Sequence, residues 1–306
     1  MAPGEVGLSA TAGGAGRGRT AGVLLVLGSA VAFSLAGVLT KLVESDAWTV
    51  VCWRGFFGAP LIVLYVMWRA RGRPRGTPFR LGWQGWALAT ITSLTSAAFI
   101  AAFKLTYVAN VVIVYATVPF VAAGLGWLAL RERVRASTLA VAAAALAGVA
   151  IMVSGGAGTG HLAGDLLAVL MTIGMAIYMV LIRILRQTPV VLALAASSLQ
   201  LFVAGWILGD PLAVSADDLA LLAIFGLAFA LGAVLLTEGT RLIPAAEAGL
   251  LGTADTPIAV FLAWVVLAEL PPLASAVGGA IALGAVVAHA GRDVVEASVL
   301  RRRVSP

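Results

Sequence analysis

Charge is scarce in this chain: only 11% of its 306 residues are Asp, Glu, Lys or Arg, with one cysteine and two histidines. A soluble globular domain is about 25% charged, so the chain has less than half of what a water-facing surface of this size needs. Cys52 alone permits no intrachain disulfide and no thiolate metal cluster. His161 falls in a connector and His289 at the end of an apolar run, which argues against a metal site. No His-Asp-Ser spacing and no DDxxD-type phosphate–Mg motif is visible, and Asp217-Asp218 reads as a solvated loop pair. The glycines of GGAGTGHLAG (155–164) are not followed by G-K-[ST], so they form a flexible linker, not a phosphate loop. The residues therefore imply no catalytic group, no cofactor and no metal.

What the chain has instead is apolar sequence. It is 61% hydrophobic, with a mean hydropathy of +1.04. The solvent this composition suits is lipid, and each crossing takes about 20 apolar residues. Ten candidate spans follow: 21–42, 48–69, 83–104, 108–130, 136–154, 163–185, 190–209, 217–240, 245–268 and 272–290. The expectation is an all-α integral membrane protein of ten transmembrane helices. Residues 1–20, rich in Gly and Ala, read as a disordered cytoplasmic tail, and 291–306 as a basic cytoplasmic tail.

The net charge of +6 is a topology signal. With the N-terminus inside, seventeen of the twenty basic residues fall on the inner side, including Arg69, Arg71, Arg73, Arg75 and Arg80 of one connection. Only Lys41 and Lys104 fall outside, and Arg54 lies within a span. The positive-inside rule gives that asymmetry for ten spans with both termini cytoplasmic. It argues for a multi-pass protein of the plasma membrane and against nucleic acid as a partner. The Arg-rich connection is suited to touch anionic lipid.

A repeat is also present. KLTYVANVVIVYATVPFVAAGLGWLALRE (104–132) and RLIPAAEAGLLGTADTPIAVFLAWVVLAE (241–269) match at Lys104/Arg241, Ala109/Ala246, Asn110/Glu247 and Glu132/Glu269, all at an offset of 137; Pro119 and Pro257 match one residue out of register. One copy is span 4 and the other span 9. The step from one to the other is five spans, an odd number, so they cross in opposite directions. The chain thus divides into a first repeat (21–154), a linker (155–162) and a second repeat (163–290): two inverted five-helix repeats, an architecture of many secondary transporters.

VYATVPFVAAGLGWLALRERV in span 4 resembles the EamA repeat of the drug/metabolite transporter superfamily, and TRLIPAAEAGLLGTADTPIAVFLAWVVLAEL resembles a second copy. FSLAGVLTKL and WRGFFGAPLIVLY are similar to the family's opening segments, so the resemblance covers residues 21–290. It implies a ten-helix transporter with a central cavity and alternating access, of a kind that exports amino acids and other small metabolites; nucleotide-sugar carriers are relatives. Two departures stand out. The second copy has no basic residue after Glu269, and Asp255 stands two before Pro257 where apolar or hydroxyl residues are more usual.

Asp255 is the eleventh residue of span 9, near the bilayer midplane. An ionised carboxylate there costs at least about 2.5–3.5 kcal/mol even on the insertion scale, so it must face a cavity or a partner. It is a candidate for substrate-amine recognition or proton coupling, or a structural carboxyl bonded to Thr253, Thr256 or a neighbouring helix. Pro119 and Pro257 remove intrahelical bonds near the middle of their spans and are candidates for hinge or cavity-lining positions. Arg54 is expected to pair with Glu44, Asp46 or Asp165, to snorkel, or to bind a substrate carboxylate. Asn110, Tyr115 and Thr256 complete the candidate substrate site. Lys41, Lys104 and Glu247 are candidate gate residues, with snorkelling or helix capping the plainer role. Tyr107, Tyr178, Trp127, Trp206 and Trp264 are candidate aromatic lining, and Gly124, Gly126, Gly148, Gly278, Gly279 and Gly284 suit close helix packing. Glu132 and Glu269, at span ends, are expected to bond local backbone or loop residues rather than substrate. The function expected is export of small polar solutes, amine-bearing ones favoured, from a monomer or homodimer in the bilayer. The alternatives are a carrier of anionic, nucleotide-linked solutes using a cationic vestibule, a lipid-modifying membrane enzyme, or a non-transporting scaffold.

Overall fold

The computed structural model describes residues 6–71, 81–131, 136–156, 160–185, 188–243, 245–285 and 287–288. Glu132, His289, most of the Arg-rich connection and the basic C-terminal tail lie outside the described residues. Twelve helices are described: α1 (Val6–Leu42), α2 (Ala47–Ala70), α3 (Gly82–Leu105), α4 (Val108–Ala116), α5 (Val118–Leu130), α6 (Ala136–Gly156), α7 (Leu162–Ile184), α8 (Val190–Leu208), α9 (Ala216–Leu242), α10 (Ala245–Gly252), α11 (Asp255–Leu267) and α12 (Leu273–Ala285). Seven segments are long and apolar enough to cross a membrane, α4 and α5 together making one, and three shorter apolar helices accompany them. The protein is all-α among the described residues and multi-pass.

Two expectations change. α1 begins at Val6, so residues 6–20 are helical rather than a disordered tail; a helix nucleated by an apolar span extends at little further cost. Spans 4 and 9 are each two helices. α4 gives way to α5 at Thr117, and α10 to α11 at Thr253-Ala254. The cause is local. Pro119 and Pro257 have no N–H to donate, and the chain tightens into three-residue turns: Thr117 N donates to Val114 O (3.1 Å), Phe120 N to Thr117 O (3.0 Å) and Ala254 N to Leu251 O (3.2 Å).

The offset of 137 recurs in the helix bounds. α3 ends at Leu105 and α9 at Leu242; α4 begins at Val108 and α10 at Ala245; α5 spans Val118–Leu130 and α11 Asp255–Leu267; α6 begins at Ala136 and α12 at Leu273. Arg131 (φ 53°) and Ala268 (φ 52°), each just past one of these helices, are the two non-glycine residues with positive φ among the described residues. Left-handed backbone is costly for a side chain bearing Cβ, so a shared strained turn at matching positions reflects a shared local design.

Packing has the same pairing. α1 lies along α9 and α3 along α7; α2 lies against α8 and α9, and α3 against α8; α1 meets α10 and α11, as α7 meets α4 and α5; α4 meets α11. α6 and α12 cross where Gly148 and Gly278 touch. A Cβ on Gly148 would lie 2.5 Å from Gly278 O, and one on Gly278 2.4 Å from Gly148 O. Gly124 and Gly284, also expected to permit close packing, have nothing within 4 Å of such a Cβ. Trp127, Trp206 and Trp264 are exposed on the helix surfaces, where aromatic side chains meet the lipid interface.

Candidate functional site

The two breaks bring the central candidates together. Asp255 is half-buried in the first turn of α11, and Thr256 Oγ1 donates to its Oδ1 at 3.1 Å. Tyr115, in the last turn of α4, is within electrostatic reach of Asp255 and Tyr178. The break changes the setting of the carboxylate. Asp255 does not interrupt a continuous helix; it begins a new 13-residue one. Although Thr256 N and Ile258 N already donate to Thr253 O and Ala254 O, this N-terminus carries positive dipole. That favours a carboxylate by about 0.3–1 kcal/mol, up to ~2 in partly buried sites. It is less than the insertion cost, so a cationic or hydrogen-bonding occupant has stabilisation left to give.

Arg54 is buried in α2, only 4% exposed. No carboxylate pairs with it among the described residues. One Nη donates to Ser96 Oγ of α3. The guanidinium lies 4.4 Å from the Phe229 ring centre and 5.6 Å from that of Phe225, while Nε has no partner. Two of the three acids expected to pair with it are engaged elsewhere: Asp46 caps its own helix at Trp48 N and Thr49 N, and Asp165 binds Thr106, just past α3, and Asn110 of α4. Each good cation–π contact contributes on the order of 0.5–2 kcal/mol, so two rings and one hydroxyl hold this charge without neutralising it. Phe99, three residues on from Ser96, stands 5.9 Å from Tyr115 ring to ring.

Asn110 is not in this group. It is buried at the start of α4, where its Nδ2 donates to Asp165 Oδ1 (2.9 Å), which also accepts from Thr106 Oγ1 (2.6 Å). Around the same end of the helices, Lys41 Nζ lies 2.8 Å from Glu269 Oε1, and Glu269 Oε2 accepts from Val108 N at 2.8 Å. Glu269 thus bonds a backbone N–H and a lysine far away in sequence rather than its local backbone. Lys104 Nζ donates to Val43 O, and Asp218 accepts from Glu44 N (3.2 Å) and Ser45 Oγ (3.3 Å). Lys41 and Lys104 are therefore anchored rather than snorkelling.

At the opposite end Glu247 pairs with Arg19 at 2.9 Å. Glu238, which the sequence did not single out, joins Tyr65 (2.5 Å), Arg69 (3.1 Å) and Arg241 (3.3 Å), tying α9 to α2. Ser96 was missed as well. Neither carries a motif; a Glu one turn from the end of an apolar span was the only available sign. An apolar groove of about 620 Å³ runs between α4, α11 and α12, lined by Pro257, Trp264 and Gly279 among others, with Glu269 and Ser275 as its polar members.

Residues 20–154 match the EamA family, described as the EamA-like transporter family. Comparison with curated proteins gives no match. A solved protein crystal structure is similar at TM-score 0.60 and 17% identity, over 88% of this chain and 97% of that one; this is a likeness of fold alone.

Proposed function

As its first half belongs to the EamA-like transporter family, we propose that this chain is a secondary transporter that exports amino acids or other small amine-bearing solutes by alternating access around a midplane cavity. What supports the substrate class is that two opposite charges each lack an ion-pair partner among the described residues. Asp255 at the break of span 9 suits a substrate ammonium, and Arg54 suits a carboxylate. Tyr115 and Thr256 flank the carboxylate, and Pro119 and Pro257 keep the two breaks open. The anionic-solute alternative is less favoured, because Lys41 pairs with Glu269 and Lys104 donates to a main-chain carbonyl.

The matching helix bounds, the paired strained turns and the helix pairing support two inverted five-helix repeats and ten spans. In that arrangement Lys41–Glu269 is an outer gate and Arg19–Glu247 an inner contact. Proton coupling through Asp255 belongs to the same reading. A thermal-shift screen of amino acids and amines on purified protein tests the substrate class. A hit is expected to stabilise wild-type protein and to lose its shift with Asp255→Asn or Arg54→Gln. Hits confined to nucleotide-linked anions would reject the amine reading.

A further inference from the structure

Asp165 is fully buried one turn into α7, yet no cation lies within salt-bridge distance among the described residues. Both its donors, Thr106 Oγ1 and Asn110 Nδ2, converge on Oδ1. Its Oδ2 has no partner, and neither has Oδ1 of Asn110. An ionised carboxylate and a carboxamide carbonyl are both acceptors at those atoms, so the cluster lacks one positive donor. A proton on Asp165 Oδ2 supplies it: a carboxylic acid and a primary amide that already share one N–H···O bond close a two-bond ring when the acid donates back. Two free oxygens are few for a metal cation, which takes about six or more. We propose that Asp165 is a proton-binding site that fastens the first turn of α4 to α7, and that its occupancy sets the outer gate. This rests on the transporter reading above but not on Asp255.

The link to the gate is structural. Asn110 sits two residues after Val108, whose N–H bonds Glu269, and Glu269 pairs with Lys41. The other titratable or charged groups nearby are engaged. His161, on the same helix, places Nδ1 3.1 Å from Leu105 O and stacks on Tyr107 at 4.7 Å, and Lys104 of α3 donates to Val43 O. Among the described residues, α5 and α6 bring no charged side chain to this corner. Proton release would leave three acceptor oxygens facing one another and loosen α4 from α7.

Infrared difference spectroscopy tests this on Asp255→Asn protein, which removes the carboxyl at the break of span 9. A protonated-carboxyl C=O band that responds to pH is expected, vanishing with Asp165→Asn and shifting with Asn110→Leu. This readout needs no transport, so it survives failure of the transporter reading. In proteoliposomes of otherwise wild-type protein, at least a threefold change of rate with external pH is expected, flattened by Asp165→Asn and kept by His161→Phe. No such band, a pH response that follows His161, or a dependence on sodium against N-methylglucamine that Asp165→Asn removes, would each overturn the proposal.

Discussion

Single residues here are placed by what their hydrogen bonds can reach. Asp46, between α1 and α2, shows this outside the membrane-spanning helices. Burial alone would push its carboxyl up, but hydrogen bonds from the Thr49 side chain and from the Thr49, Trp48 and Asp210 backbones outweigh that and hold it below the usual aspartate value of 3.8. A carboxylate held low in the folded state contributes stability above its unfolded value and loses it as pH falls through the folded one. Asp46→Ala is therefore expected to lower stability by about 1 kcal/mol at neutral pH, as loss of an N-cap does, with the difference from wild type shrinking as pH falls below 3.8. Chemical denaturation in detergent across that range measures it. A difference that is flat through pH 3 would contradict the assignment.

Legibility at this scale was uneven. Asp255 was readable as a candidate because a carboxylate stands out in an apolar run. Its helix N-terminus was not, because a Pro in a span can kink as readily as break it. Arg54 was visible as a buried charge, but its aromatic partners on α9 lie more than 170 residues away, and nothing local encodes them. Asn110 was chosen for its repeat position and proved to serve Asp165.

Between elements, close approach and gating are the testable features. At the α6–α12 crossing a leucine side chain at position 148 would begin 2.5 Å from a carbonyl oxygen. Gly148→Leu is expected to cost at least 1–3 kcal/mol, the range of ordinary overpacking, and to lower the thermal midpoint. Gly124→Ala, facing open space, is expected to be neutral or slightly stabilising, since Ala exceeds Gly in helix propensity. Equal effects would contradict the packing. The Lys41–Glu269 pair is only partly exposed, 23% and 15% by side chain. Its coupling is expected between the ~1 kcal/mol of exposed pairs and the 3–5 kcal/mol lost on breaking a buried one. A double-mutant cycle of Lys41→Met and Glu269→Gln, read as accessibility of the outer vestibule to a membrane-impermeant thiol reagent at an introduced cysteine, measures it. Additive effects would remove the pair from the gate.

For the molecule as a whole, the membrane class and most span limits were legible because lipid imposes length and apolarity directly. The offset of 137 was readable in sequence and recurs in helix bounds and strained turns, since local backbone demands leave their mark in each copy. Which helices pack together was not legible, because apolar faces in lipid carry no polar–apolar stripe to orient them. Alternating access to a shared site with an ammonium-binding carboxylate is the claim that joins these scales. Solute counterflow in proteoliposomes tests it most directly: vesicles are loaded with an excess of unlabelled amino acid and supplied with the labelled one. Transient labelled uptake is expected with wild-type protein, reduced at least tenfold by Asp255→Asn at equal folded protein. Counterflow unchanged by Asp255→Asn would contradict it.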